Sequence, residues 1–113
     1  MKIKILGTKW TIKCDSEEND PILEGADGYC DNSIKTIVIR KLEKSQDSLK
    51  DLESYSKKVL RHEIVHAFLH ESGLSMNSNG SDSWATNEEM VDWIAIQGPK
   101  IYSAWKDANA LEV

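Results

Sequence analysis

His62-Glu63-Ile64-Val65-His66 restricts this chain more than any other stretch. On a 100° wheel Leu60, Ile64, Ala67 and Phe68 share one face, and Val65 and Leu69 widen it. That periodicity predicts a helix. It begins between Ser48 and Leu52, continues to Ser72, and has Gly73 as its C-cap. His62 and His66 fall on the opposite side, about 40° apart around the axis and roughly 6 Å along it. A helix that is apolar on most sides must be buried. The fold must then leave a cleft over the histidine face.

The rest of the chain supplies one small domain around that helix. With 113 residues, 40% of them hydrophobic, it can build a single core across residues 1–113. Residues 2–13 alternate as strands do, with Ile3, Ile5, Trp10 and Ile12 apolar and Gly7-Thr8-Lys9 as the turn between two strands. Residues 14–34 read as a loop. They hold Asp15, Glu17, Glu18, Asp20, Glu24, Asp27 and Asp31 without a Lys or Arg. The β-branched run at 34–40 is the best strand. Residues 74–85 are a Ser/Asn/Gly-rich loop. Thr86 then caps a second helix, with Glu89 completing a capping box. Gly98-Pro99 breaks or kinks that helix, and Ile101, Tyr102 and Trp105 lie on its last turns. The expected class is α+β: a small antiparallel or mixed sheet packed on the histidine helix, closed by the second helical segment.

Composition removes several function classes. Fourteen basic against nineteen acidic residues give a net charge of −5, which disfavours nucleic acid as a partner. The start, Met1 to Gly7, carries Lys2 and Lys4 and has no apolar core of a signal peptide. No stretch approaches the ~20 apolar residues of a membrane span. A cytoplasmic setting is expected. Cys14 and Cys30 have no partner at C-x-x-C spacing and read as buried free thiols.

H-E-x-x-H on a helix is the pattern of zinc hydrolases. Two imidazoles reach one ion, and Glu63 stands beside them to take a proton from water. A third ligand must come from elsewhere. Glu88 and Asp92 are spaced i, i+4 and share a helix face. Glu88 is the candidate ligand. Asp92 can accept a hydrogen bond from a ligand histidine and so fix its tautomer. Small Ala95 continues that face. Glu89 is already explained by the capping box. His70 lies roughly 12 Å along the axis from His62, too far to share its ion. It is expected to line the cleft or to hydrogen-bond the helix end.

H-E-x-x-H followed by Asn87-Glu88-x-x-x-Asp92 resembles the gluzincins, the thermolysin-like metallopeptidases. The order of strands and helices is similar to that of small ImmA/IrrE-type metallopeptidases, including phage-encoded ones. Their second helix reads E-x-x-A-[DN]-x-[FY]-A; here it is Glu88 to Ala95, with Val91 and Ile94 as departures. The likeness covers residues 28–96. It implies a zincin-like fold, a Zn2+ ion on His62, His66 and Glu88, Glu63 as general base, and Asp92 bonded to His62. It also implies a peptide or protein substrate. An extended substrate would pair with an edge strand, for which 34–40 is the candidate. Gluzincins often use a His or Tyr beyond the third ligand to stabilise the oxyanion. Tyr102 is the only tyrosine downstream of Glu88. The rival expectation is a zinc-stabilised regulatory module that binds without turnover.

Overall fold

Leu6 and Gly7 both have positive φ, 48° and 86°. Two successive left-handed residues make the tight hairpin loop whose twist matches its strands. The loop joins β1 (Lys2–Ile5) to β2 (Thr8–Asp15), pairing Ile5 with Thr8. The turn is therefore at Leu6-Gly7, and Thr8 and Lys9 already belong to β2. The computed structural model describes residues 1–43, 51–78 and 83–111.

Two further strands complete a four-stranded mixed sheet, β3 (Gly28–Asp31) and β4 (Thr36–Arg40). The order is β1-β2-β4-β3, with β4 parallel to β2 and antiparallel to β3. This corrects two expectations. The 34–40 run is a central strand, not an edge. Thr36 to Ile39 are all buried, as a strand covered on both faces requires. The edges are β1 and β3. The 14–34 stretch is not all loop: it holds the end of β2, a 3₁₀ turn at Pro21–Leu23 capped by Asp20, and β3.

The sheet carries α1 (Leu52–Glu71). Asp51 caps it by accepting from Ser54 N at 3.0 Å, and Gly73 turns left-handed just beyond its end. Residues 48–50, where an earlier start was also open, lie outside the described residues. Val59 and Ala67 join Ile5, Trp10, Ile12, Ile37 and Ile39 in the main core, with Leu60 and Ile64 packed against it. Phe68 departs from the wheel and is 43% exposed. The buried arc turns instead through Leu69, which packs with Ala85 and Val91 in a second cluster. Gly28 shows how closely β3 approaches α1. A Cβ there would sit 3.0 Å from Val38 O and 3.1 Å from Val59 Cγ1.

The 74–85 stretch contains α2 (Leu74–Asn77), and a 3₁₀ turn (Trp84–Thr86) follows. Residues 79–82 lie outside the described residues. Next comes α3 (Glu88–Asp107), capped by Asn87 rather than Thr86. Asn87 accepts from Met90 N at 2.8 Å, while Thr86 donates to Ser83 O. Asn is among the strongest cap residues. Glu89 is thereby freed from the capping box assigned to it.

α3 continues through Pro99 without a break. Proline has no N–H, so the carbonyl four residues back loses its helical donor. That carbonyl is Ala95 O. Arg61 of α1 supplies the missing bond from Nε at 2.6 Å. No helix among the described residues is long and apolar enough to cross a membrane.

Candidate metal centre

α1 presents His62 and His66 one turn apart, and the first turn of α3 lays Glu88 over them. His62 Nε2 and His66 Nε2 are 3.2 Å apart. Glu88 Oε2 lies 3.3 Å from His62 Nε2, and Oε1 lies 2.7 Å from His66 Nε2. One donor atom from each residue falls within 4.8 Å of the others. Bonds of about 2.0–2.1 Å in a tetrahedron put ligand atoms about 3.3 Å apart, so the two imidazoles already stand at ligand spacing. Two nitrogens and a carboxylate oxygen are a donor set that suits zinc. The side chains of the histidines are 15% and 18% exposed, and that of Glu88 is 68% exposed. The group is therefore built on a buried helix and closed from the solvent side.

Asp92 stands one turn beyond Glu88 and lies 3.2 Å from His62 Nδ1. A proton on Nδ1 is donated to that carboxylate and leaves the Nε2 lone pair facing His66 and Glu88. Lys58 Nζ also donates to Asp92 Oδ1, at 3.2 Å. Burial alone would raise the Asp92 pKa. Hydrogen bonds from Lys58 and His62 outweigh it and hold the carboxylate below its ordinary value. Lys58 was missed in the sequence, although its signal was available: 58, 62 and 66 form one i, i+4 row.

Glu63 is 7% exposed and faces a cavity of about 220 Å³. Burial pushes its pKa up to about 7, opposed by His62 and reinforced by the charge of Glu88. Its oxygens are not part of the three-residue donor group. Burial lowers the pKa of His66, against the pull of Glu88. Asp27 and Tyr55 line the same cavity as Lys58. The Tyr55 hydroxyl donates to Asp27. Neither residue was singled out in the sequence, because their meeting depends on where the loop before β3 returns to α1. Cys30 of β3 backs the same region. Burial first, then the charge of Glu63, pushes its thiol up to about 12. Cys14, expected to be buried, is exposed.

Two cleft candidates are not at the site. His70 is half-buried, and its Nδ1 has no hydrogen-bond partner among the described residues. It does not line the cavity beside Glu63. Tyr102 is 55% exposed. Because α3 does not break at Gly98-Pro99, Tyr102 lies about 21 Å further along the axis than Glu88. Compared with family models, with curated proteins and with solved structures, the chain finds no match in any of the three.

Proposed function

We propose that this chain is a zinc-dependent peptidase with a zincin-like, gluzincin-type centre, acting on a peptide or protein substrate in the cytoplasm. One observation carries the reading. His62, His66 and Glu88, from two different helices, converge within 4.8 Å beside a buried carboxylate that the group does not use. A structural ion pair between helices has no need of that fourth residue.

Zinc held by His62, His66 and Glu88 would supply a Lewis acid that acidifies water and polarises a carbonyl. The protein's own residues do the rest. Glu63, with its pKa near neutrality, can accept a proton from water and return it to the leaving amine. Asp92 keeps the His62 tautomer correct, and Lys58 keeps Asp92 ionised. β3 is an edge strand directly above α1, so its free side replaces 34–40 as the place for an extended substrate to pair.

The test is zinc content and peptide hydrolysis of wild type, Glu63→Gln and the double variant His62→Ala/His66→Ala. The expected result is one zinc per chain in the first two, none in the third, and hydrolysis in wild type alone. Loss of zinc from Glu63→Gln would make Glu63 a ligand. A zinc-loaded wild type that cleaves nothing in a broad peptide library would favour a binding module without turnover.

A further inference from the structure

The cavity beside His62 and Glu63 is not the only one that α3 lines. A second one, of about 530 Å³, is lined by Trp84, Asn87, Glu89, Met90 and Trp93. Its volume lies in the range of small-ligand sites. Two tryptophans open onto it, 61% and 56% exposed. Leaving two indoles in water on one cavity forgoes a large apolar gain. Among the described residues Glu89 is the only charged one lining it, and its carboxylate makes no hydrogen bond or ion pair with any of them. Asn87 caps the helix and so already has its role.

Indole faces attract cations more strongly than any other aromatic side chain does. A guanidinium also stacks on a planar ring while forking its N–H groups to a carboxylate. The Met90 thioether suits an aliphatic stem. The net charge of −5 favours the approach of a basic ligand. The cavity also adjoins the metal centre. Glu88 and Glu89 are consecutive, about 3.8 Å apart at Cα and about 100° apart around α3. One turn of helix is thus a wall of both. We infer that this cavity receives a cationic side chain of the substrate, arginine in preference to lysine. The inference rests on the peptidase reading for its word "substrate", while the cation site itself does not.

The binding arm uses tryptophan fluorescence of the full chain in the Glu63→Gln variant, so that nothing is consumed. The probes are N-acetyl-arginine amide, N-acetyl-lysine amide and N-acetyl-norleucine amide. The arginine probe is expected to change the emission and to bind about tenfold more tightly than the norleucine probe. Its affinity should fall as salt rises. Glu89→Gln should lower that affinity about tenfold at unchanged zinc content and circular dichroism. Trp93→Ala should do the same, and Glu89→Gln decides the matter if Trp93→Ala misfolds. Equal binding of arginine and norleucine, or an unaffected Glu89→Gln, overturns the site. The cleavage arm profiles a random peptide library with the wild-type chain. A basic residue enriched at one position, and lost in Glu89→Gln, supports the inference. Cleavage with no basic preference overturns it and leaves the peptidase reading intact. Arginine-selective binding by a chain that cleaves nothing leaves the cation site standing and overturns the peptidase reading.

Discussion

Glu88 and Asp92 sit on one face of α3 and touch the same histidine, yet they differ in kind. Glu88 meets both His62 and His66 and is mostly exposed. Of the two histidines Asp92 meets only His62, at Nδ1, on the far side of the ring from the donor group. Asp92→Ala is therefore expected to weaken zinc binding about 10–100-fold and leave partial activity. Glu88→Ala should cost more on both counts. A competition titration giving the reverse order would make Asp92 the ligand. Glu71 is a second carboxylate whose surroundings decide its behaviour. It accepts from Trp10 Nε1 at 2.9 Å and Thr8 Oγ1 at 3.2 Å, and pairs with Lys35 Nζ at 3.0 Å. The Lys35 bond, with help from Trp10 and Thr8, holds its pKa below the ordinary 4.5. A depressed carboxylate contributes stability above its unfolded value and loses it as pH falls through the folded one. Glu71→Gln can still accept from Trp10. Its melting temperature should lie below that of wild type at pH 7, and the two should converge between pH 4.5 and more acid conditions. A gap that stays constant across that window would mean the ion pair is not the cause.

Among the elements, β3 brings the sheet close against α1 at Gly28. Gly28→Ala forces a methyl against a backbone oxygen and a valine that cannot both retreat. It is expected to cost about 1–3 kcal/mol in urea unfolding. A loss below about 0.5 kcal/mol would mean that β3 shifts freely on α1. β3 was also the element hardest to read. Gly28-Tyr29-Cys30-Asp31 is short and half of it is poor strand former, so it lacks local preference and exists because β4 pairs with it. Strand order was illegible for the same reason. The β-branched run of β4 announces a strand, but its place between β2 and β3 depends on partners remote in sequence. The body and end of α1 were legible because periodicity and Gly73 act locally, while its start was read only to between Ser48 and Leu52 and is fixed by the Asp51 cap. The cap of α3 was misplaced by one, because Thr86 and Asn87 are both competent and only the chain path chooses between them. At the site, His62, Glu63, His66, Glu88 and Asp92 are read from two helical spacings. Lys58 continues the row of the histidines, while Asp27 and Tyr55 join the site only once α1 and the loop before β3 are packed together.

At the scale of the molecule, the candidate centre is a seam. Its donors come from α1 and α3, and the second apolar cluster closes the same two helices with Leu69, Ala85 and Val91. Arg61 stitches that seam by filling the vacancy that Pro99 leaves on Ala95 O. Ala95 is 1% exposed, so water is a poor substitute donor. Arg61→Leu is expected to cost about 1–3 kcal/mol in the native chain, the penalty for an unpaired buried polar group. In a Pro99→Ala background the helix supplies its own donor, and the same change should cost far less. Strictly additive losses in a double-mutant cycle would refute the coupling. The consequence reaches beyond stability to descent. A lineage that loses the proline frees the arginine to drift, and one that keeps the proline cannot spare it. Selection then acts on the two positions as on a single trait, although their side chains share no bond.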